Sequence, residues 1–389
     1  MLRREVIIVG SGPAGSSTAL HLLKTQPSLA REILVLEKAV HPREKVCAGG
    51  LIPHTLGCLK ELDISLSVPH VVVDRALVRI PPGREVRCEG EGFCTVVRRS
   101  EFDAALVQTA KQRGAEVHEG EKVLNLVRDP QGVRVWTDKG EYWARMVVGA
   151  DGAGSLVRRK LLGPGRGTMG KAIMCDIPVK ETSWLGFLGR RYDFNFVPIA
   201  QGLKGYLWAF PCLIGGVPHV NVGIYSLGTD GLTGADLQRL LRNEVLSLTG
   251  HSSRFKAFPI HGYAEQVPLA APHALLVGDA AGVDPLMGEG ISFALEYGKL
   301  AAAEIIQAVE ERDFSFAEYT RRVRYSWIGK KLRRLAVATG LFYGRTYRLW
   351  FALAGLSPRT QEIGLKWYNG VDGWHQRSGW EAIRAVWQP

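Results

Sequence analysis

The sequence predicts a mixed α/β (α+β) fold: a parallel sheet flanked by helices, interleaved along the chain with an antiparallel sheet, and followed by a C-terminal helical region. Three observations lead there. Residues 6–9, 33–36 and 146–148 are short all-apolar runs, each passing into glycine or a carboxylate, as expected of strands buried on both faces of a parallel sheet. Residues 206–211, Tyr-Leu-Trp-Ala-Phe-Pro, place three aromatics at period 2 and so on one face of a strand of a different kind. Beyond residue 313 the apolar spacing is helical and the polar positions are basic.

In chain order, the first apolar run enters Gly10-Ser11-Gly12-Pro13-Ala14-Gly15, and a helix pattern continues through Ala19, Leu20, Leu22 and Leu23. Strand, G-x-G-x-x-G and helix stand in the order required to cradle a pyrophosphate. The second run ends in Glu37, placed for ribose hydroxyls, with Lys38 next. An acid there disfavours a 2'-phosphate and fits FAD as well as NAD, so a Rossmann-like unit follows but not the ligand's identity.

Residues 43–51, Arg-Glu-Lys-Val-Cys-Ala-Gly-Gly-Leu, are unusual after a second strand. Gly49 and Gly50 beside Cys47 suggest backbone passing close to something flat or bulky. Cys47 reads either as a small buried residue or as an active-site contact, and Arg43 and Lys45 as facing phosphates or solvent. Residues 71–97 read as strands with breakers, 102–113 as a helix, and 115–117, 123–127 and 133–137 as further strands. The run at 146–148 ends in Gly149-Ala150-Asp151-Gly152, a second carboxylate loop, before a basic helical segment at 156–162.

From 171 to 264 aromatics and alternation dominate. Tyr206, Trp208 and Phe210 form either the core face of a sheet or a wall over an apolar ligand. Residues 221–225 read as the neighbouring strand and 235–248 as a helix. A buried strand at 274–277 then opens into Gly278-Asp279-Ala280-Ala281-Gly282-Val283-Asp284-Pro285-Leu286-Met287-Gly288-Glu289-Gly290-Ile291, a third loop, ahead of a helix through Phe293, Leu295 and Ile305. Asp279 suits a ribityl or ribose hydroxyl, and the helix start suits a negatively charged ring.

The 389 residues carry 46% hydrophobic side chains and a net charge of +11, most of it in the last 69 residues, which hold 13 Lys/Arg against 3 Asp/Glu. Without a nucleic-acid motif, that basic, Trp-rich tail reads as a helical cap that also contacts anionic lipid headgroups, and no nucleic-acid partner is expected. The six cysteines form no C-x-x-C pair or Cys/His cluster at metal spacing, so no metal site is expected. With no secretory signal and no apolar span of about 18 residues, the expectation is a cytoplasmic protein, peripheral on the membrane at most. Oligomeric state leaves no trace in the sequence.

The loops at 10–15, 151–152 and 278–279 together resemble the three fingerprints of FAD enzymes with the para-hydroxybenzoate hydroxylase fold. Within that fold, residues 278–291 resemble the G-D-A-A-G-x-x-x-P-x-x-G-E-G-I pattern of the geranylgeranyl reductase family, and 206–211 its Y-x-W-x-F-P. Cys47 to Gly50 is similar to its cysteine-glycine stretch, with Ala48 where glycine is usual.

The resemblance implies a discontinuous FAD-binding domain (1–70, 98–170, 265–312), a substrate domain (71–97, 171–264) and a C-terminal helical region (313–389). It implies that Gly10, Gly12, Pro13, Ala14 and Gly15 cradle the pyrophosphate, that Glu37 and Lys38 sit at the adenosine, and that Arg99, Asp151 and Asp279 serve the linker side. Gly288, Gly290 and Ile291 would lie under the flavin ring. Cys47, Gly49 and Gly50 would stand at the reaction centre, and Tyr206, Trp208 and Phe210 would line a channel for an apolar isoprenoid. The implied reaction saturates C=C bonds of a polyprenyl chain by hydride from reduced FAD, with NAD(P)H or ferredoxin as electron donor. An FAD-dependent monooxygenase or halogenase is the rival, although aromatic hydroxylases usually carry His at Gly282 and Asn at Ile291. A non-catalytic flavin- or prenyl-lipid-binding protein is the third reading.

Overall fold

The computed structural model describes residues 1–163 and 167–355, together with Gln361, Glu362, Gly364, Lys366, Tyr368 and Glu381. Four tail tryptophans, Trp367, Trp374, Trp380 and Trp387, lie outside the described residues.

The first sheet forms where the all-apolar runs stand. Strands Leu2–Val9, Ile33–Glu37, Glu116–Glu119, Glu141–Gly149 and Ala274–Leu276 pair in parallel, with Leu2–Val9 between Ile33–Glu37 and Glu141–Gly149. Antiparallel strands extend it beyond Glu141–Gly149, where Gly132–Thr137 pairs with that strand and Ala270–Ala271 pairs with Ala274–Leu276. The register matters most: Val9 is opposite both Leu36 and Gly149, and Leu276 is also opposite Gly149. The strands therefore end level, and Gly10, Glu37, Asp151 and Asp279 emerge along one edge, where open α/β sheets bind ligands.

Helix Pro13–Thr25 starts with proline at its first position, whose missing N–H would be unpaired there anyway. It packs closely on helix Ile291–Glu311. A side chain on Gly298 would lie 2.5 Å from Ser17 Oγ, and that hydroxyl donates to the Leu295 carbonyl at 2.7 Å.

The second sheet has eight strands in the order Lys256–His261, Met169–Pro178, Val217–Ser226, Gly205–Ile214, Arg191–Asn195, His70–Ile80, Arg84–Val97 and Gly50–Leu51. Only Arg191–Asn195 with His70–Ile80 is parallel. Period-2 alternation sorts its two faces. Tyr206, Trp208, Phe210 and Cys212 join one apolar cluster with Ala172, Met174 and Tyr225, while Leu207, Ala209, Ile173, Val222 and Ile224 join another under helix Gly234–Thr249. That helix is fixed by a capping box between Thr233 and Asp236.

The strands fall close to those read from the sequence. Gly50–Leu51 pairs with Val96 and Thr95 and so closes the second sheet. The helix expected from 102 begins at Arg99, and the basic segment at 156–162 is helical throughout, with π-type turns over Arg158–Leu162. Past residue 313 come helices Tyr319–Tyr325, Trp327–Phe342 and Tyr347–Ala354. Among the described residues no helix is long and apolar enough to cross a membrane.

Helix Gly234–Thr249 generates a test of the second sheet's outer face, because Leu241 is fully buried beneath it. Leu241→Ala should lower unfolding free energy by about 2–5 kcal/mol in a denaturant titration. A loss under about 1 kcal/mol would contradict this packing.

Candidate functional site

One cavity of about 940 Å³ runs between the two sheets. Of the residues singled out from the sequence, Gly10, Gly12, Pro13, Ala14, Glu37, Lys38, Arg99, Asp151 and Asp279 line its nucleotide end. Gly288, Gly290 and Ile291 line its middle with Cys47 and Gly50, and Tyr206, Trp208 and Phe210 line its apolar end. Gly15 and Gly49 do not line it, and each is required by the backbone instead. A side chain on Gly15 would lie 2.0 Å from the Gly10 carbonyl, and one on Gly49, where φ is +80°, 2.0 Å from the Val97 carbonyl. Gly50 leaves room for Phe210, whose ring would be 3.2 Å from an added Cβ.

At the nucleotide end the glycine loop is tied to the second strand. The Ser11 amide and hydroxyl donate to Glu37 Oε2 at 2.9 and 3.0 Å, and the Ala39 amide donates to Oε1 at 3.0 Å. Glu37 thus shapes the loop as well as facing the cavity. Gly278, at φ +58°, lies so near Ala14 that an added Cβ would come within 2.7 Å, so two of the three fingerprints touch. Arg158 joins the other pair, its Nε donating to the Ala280 carbonyl at 2.8 Å.

Two cations face this end. Arg43 lies over Gly12, and its buried Nε has no hydrogen-bond partner among the described residues. Lys45 Nζ stands 3.6 Å from Asp279 Oδ2 and 3.4 Å from the centre of the Phe258 ring. Burial lowers its pKa below the usual lysine range, and Asp279 opposes that shift. Bare glycine amides beside two incompletely matched cations fit a phosphate-bearing ligand.

Asp151 and Arg99, which line the cavity, are also held from within the chain. Asp151 caps the turn behind it: Oδ1 accepts from Ser155 Oγ at 2.5 Å, and Oδ2 from the Leu156 and Val157 amides at 2.6 and 3.1 Å. Arg99 is gripped by fully buried Asp103 through bonds of 2.8 and 3.0 Å. Burial would lower the Arg99 pKa, but Asp103 and the Cys47 sulfur outweigh it and raise it. Cys47 Sγ in turn accepts the Gly49 N–H at 3.3 Å.

Sequence reasoning missed what holds the third loop. Three buried tyrosines from three elements donate to three consecutive carbonyls: Tyr225 to Pro285 at 3.1 Å, Tyr343 to Leu286 at 2.6 Å and Tyr206 to Met287 at 2.6 Å. Tyr368 donates to Asp284 Oδ2 at 3.0 Å, and the Leu286 amide to Oδ1 at 2.7 Å. Glu289 caps helix Ile291–Glu311 through the Ser292 amide and hydroxyl at 2.9 and 2.6 Å. The helix start and Gly288 to Gly290 thereby face the cavity with a partial positive charge. No local pattern flags Tyr225, Tyr343 or Tyr368, and the aromatic alternation that marks the Tyr206 ring is silent on its hydroxyl's partner. At the apolar end, Trp208 lies across Gly223 and donates to Asn221 Oδ1 at 2.7 Å, fixing its ring.

Burial pushes Asp284 up to about 6, against its hydrogen bonds from Leu286 and Tyr368. A carboxyl raised in the folded state stabilises fully only when protonated, and that contribution is lost as pH rises from about 4 to about 6. Thermal unfolding across this window should therefore show wild type losing about 2–3 kcal/mol relative to Asp284→Asn. Parallel curves for the two proteins would count against a raised Asp284.

Comparison with known proteins accords with this geometry. Residues 3–207 match the FAD binding domain family. The chain is 31% identical to digeranylgeranylglycerophospholipid reductase 1 of Methanopyrus kandleri, covering 83% of this chain and 85% of that one. It is 30% identical to menaquinone reductase of Mycolicibacterium smegmatis, covering 81% and 79%. In structure it is similar to a geranylgeranyl bacteriochlorophyll reductase-like protein of Thermoplasma acidophilum, with a TM-score of 0.73 and 23% identity over 99% of this chain and 96% of that one. Three nucleotide loops on one sheet edge, a cavity shared with an aromatic sheet face and these relatives converge: the chain belongs to the geranylgeranyl reductase family of FAD-dependent oxidoreductases.

Proposed function

We propose that the protein saturates carbon–carbon double bonds in the polyprenyl chain of a lipid or quinone. The observation that carries this reading is the single cavity leading from the glycine loops, past Cys47, to the wall of Tyr206, Trp208 and Phe210. Relatives named for reducing a digeranylgeranyl phospholipid and menaquinone support a prenyl substrate.

Gly10, Gly12, Arg43 and Lys45 would hold the pyrophosphate of FAD, with Glu37 at the adenosine ribose and Asp279 toward the ribityl chain. Bound FAD would supply a hydride, with NAD(P)H or ferredoxin as the electron source. The amides at Gly288 to Ile291 would favour negative charge on a ring held against them. The aromatic wall excludes water and lays the isoprenoid along the cavity, which matters because an unactivated alkene depends on positioning. Hydride addition to one alkene carbon requires a proton at the other. Cys47 Sγ is the proton-bearing group we assign there, restored from solvent through the open end, with Arg99 and the Gly49 amide beside it holding the sulfur after the proton leaves.

An oxygenase or halogenase of the same fold is the competing chemistry. Gly282 weighs against the hydroxylase form: at φ +110°, an added Cβ would lie 2.9 Å from Tyr263 Cα, so a histidine has no room there. We further place the protein in the cytoplasm and at the membrane surface. Helices Trp327–Phe342 and Tyr347–Ala354 support this, with Val337, Leu349 and Leu353 exposed near exposed Arg345 and Arg348.

Dithionite-reduced enzyme under anaerobic conditions should yield saturated product from prenyl-quinone, prenyl-phospholipid or chlorophyll-type substrates, read by mass spectrometry. Cys47→Ser should retain FAD yet lose turnover about 100-fold or more. Failure with every prenyl class, or substrate-stimulated oxygen uptake giving a hydroxylated or halogenated product, would sink the reductase reading.

Vesicle co-sedimentation tests the membrane assignment. Binding should favour anionic over neutral lipid and drop at least about 10-fold in Arg345→Glu/Arg348→Glu, at about 1 kcal/mol per basic residue near the surface. Equal binding by both proteins would contradict it.

A further inference from the structure

Away from the cavity, the chain brings together three potential ligand atoms that the cysteine spacings alone did not reveal. His54 and Cys58 stand four residues apart on helix Pro53–Glu61, and Glu296 faces them from helix Ile291–Glu311. His54 Nε2 is 2.9 Å from Glu296 Oε1, Cys58 Sγ is 3.5 Å from the same nitrogen, and Cys58 Sγ is 3.4 Å from the same oxygen. Cys58 and Glu296 are buried, 5% and 6% exposed, and none of the three lines the large cavity.

The convergence is the informative part. In a nucleophile–base–acid relay the histidine uses its two nitrogens for two different partners, as a proton must pass through the ring. Here both the thiol and the carboxylate address Nε2, and they also address each other. Three single atoms of N, S and O type face a common point, which is the geometry of a metal site. A triangle with these sides has its corners about 2 Å from a common centre, close to the bond lengths of zinc to nitrogen, oxygen and sulfur.

We propose that His54, Cys58 and Glu296 form a binding site for one divalent zinc-type cation. Binding replaces the thiol proton of Cys58, released to solvent, and leaves the ring proton of His54 on Nδ1. Thiolate and carboxylate then balance the 2+ charge, and water fills the fourth position. A thiolate and an imidazole select this cation over magnesium or calcium, which favour all-oxygen sites.

Position gives the site its consequence. Ile52, the residue before helix Pro53–Glu61, lines the cavity, as do Ile291 and Ala294 at the start of the other helix. A cation here staples the segment that follows Cys47 to the helix whose first turn faces the flavin end. C-x-x-C spacing and clustered Cys/His are local signals, and a His-x-x-x-Cys pair completed by a glutamate 238 residues away carries neither.

Purified holoenzyme, stripped with a chelator and titrated with Co²⁺, should develop a thiolate-to-cobalt charge-transfer band in difference absorption, saturating at one equivalent and erased by Zn²⁺. In Cys58→Ser the band should vanish and Zn²⁺ affinity should drop about 100-fold, the size of effect expected on losing a thiolate ligand. X-ray absorption at the zinc edge of wild-type protein needs no variant and should give one sulfur among nitrogen and oxygen neighbours. No band in wild type, an unchanged band in Cys58→Ser, or a zinc shell with no sulfur or more than one would overturn the proposal.

Discussion

A loop that offers its amides to a ligand must have its carbonyls satisfied from behind, and the rest of this structure is arranged around that requirement at residues 284–290. Buried backbone groups left unpaired cost about 1–3 kcal/mol each. Here the carbonyls of Pro285, Leu286 and Met287 are met by Tyr225, Tyr343 and Tyr206. Two of those tyrosines come from the second sheet and one from the C-terminal helices. The third loop, the aromatic wall and the C-terminal region are therefore mechanically one unit. Tyr206 serves both sides at once, its ring in the apolar wall and its hydroxyl on the loop.

Buried charge follows from the same arrangement. Asp284 is fully buried because it anchors the turn from inside, and Tyr368 reaches it from the far end of the described chain. Lys331 is buried nearby and donates to the Tyr368 carbonyl at 2.8 Å, with the rings of Phe293 and Trp327 about it. Burial lowers its pKa, while Glu289 and Asp284 oppose that shift. The C-terminal helices thus do more than cover the fold; they complete the polar support of the third loop.

What could be read from sequence was what repeats locally. The parallel strands, the glycine loop with Glu37, the carboxylate loops and the period-2 aromatics all express rules that act within a dozen residues, and each landed where expected. Tyr206, Trp208 and Phe210 are 5–7% exposed and also line the cavity, so the core face of the sheet and the cavity wall are one surface. What could not be read depends on distant partners. Gly50–Leu51 is too short to announce a strand and becomes one only by pairing with Thr95 and Val96. Asp151 lines the cavity, and its carboxylate is also held by three donors within six residues. Arg99 has its partner four residues away in Asp103, an i,i+4 pair that local reading could have weighed. The hydrogen bonds of the tyrosine clamp have no local signal.

The polarity gradient along the cavity constrains where the reaction can occur. At one end stand Arg43, Lys45, Glu37 and Asp279; at the other, aromatic rings with their polar atoms already bonded to Met287 and Asn221. Charge is costly among those rings, whose hydroxyl and indole N–H are already bonded. Cys47 sits at the boundary between the two regions, with the Gly49 amide and the Asp103-held Arg99 guanidinium at its sulfur. Of the six thiols, Cys175 and Cys212 are buried away from this boundary, and burial pushes each up to about 12. Cys94 lines the cavity but is likewise pushed up to about 12 by burial, with Glu289 adding to it. Cys88, also on the lining, is raised by burial. Cys47 is the thiol that joins a place on the cavity lining to a guanidinium at its sulfur, and the grip of Asp103 on Arg99 is what keeps that guanidinium there.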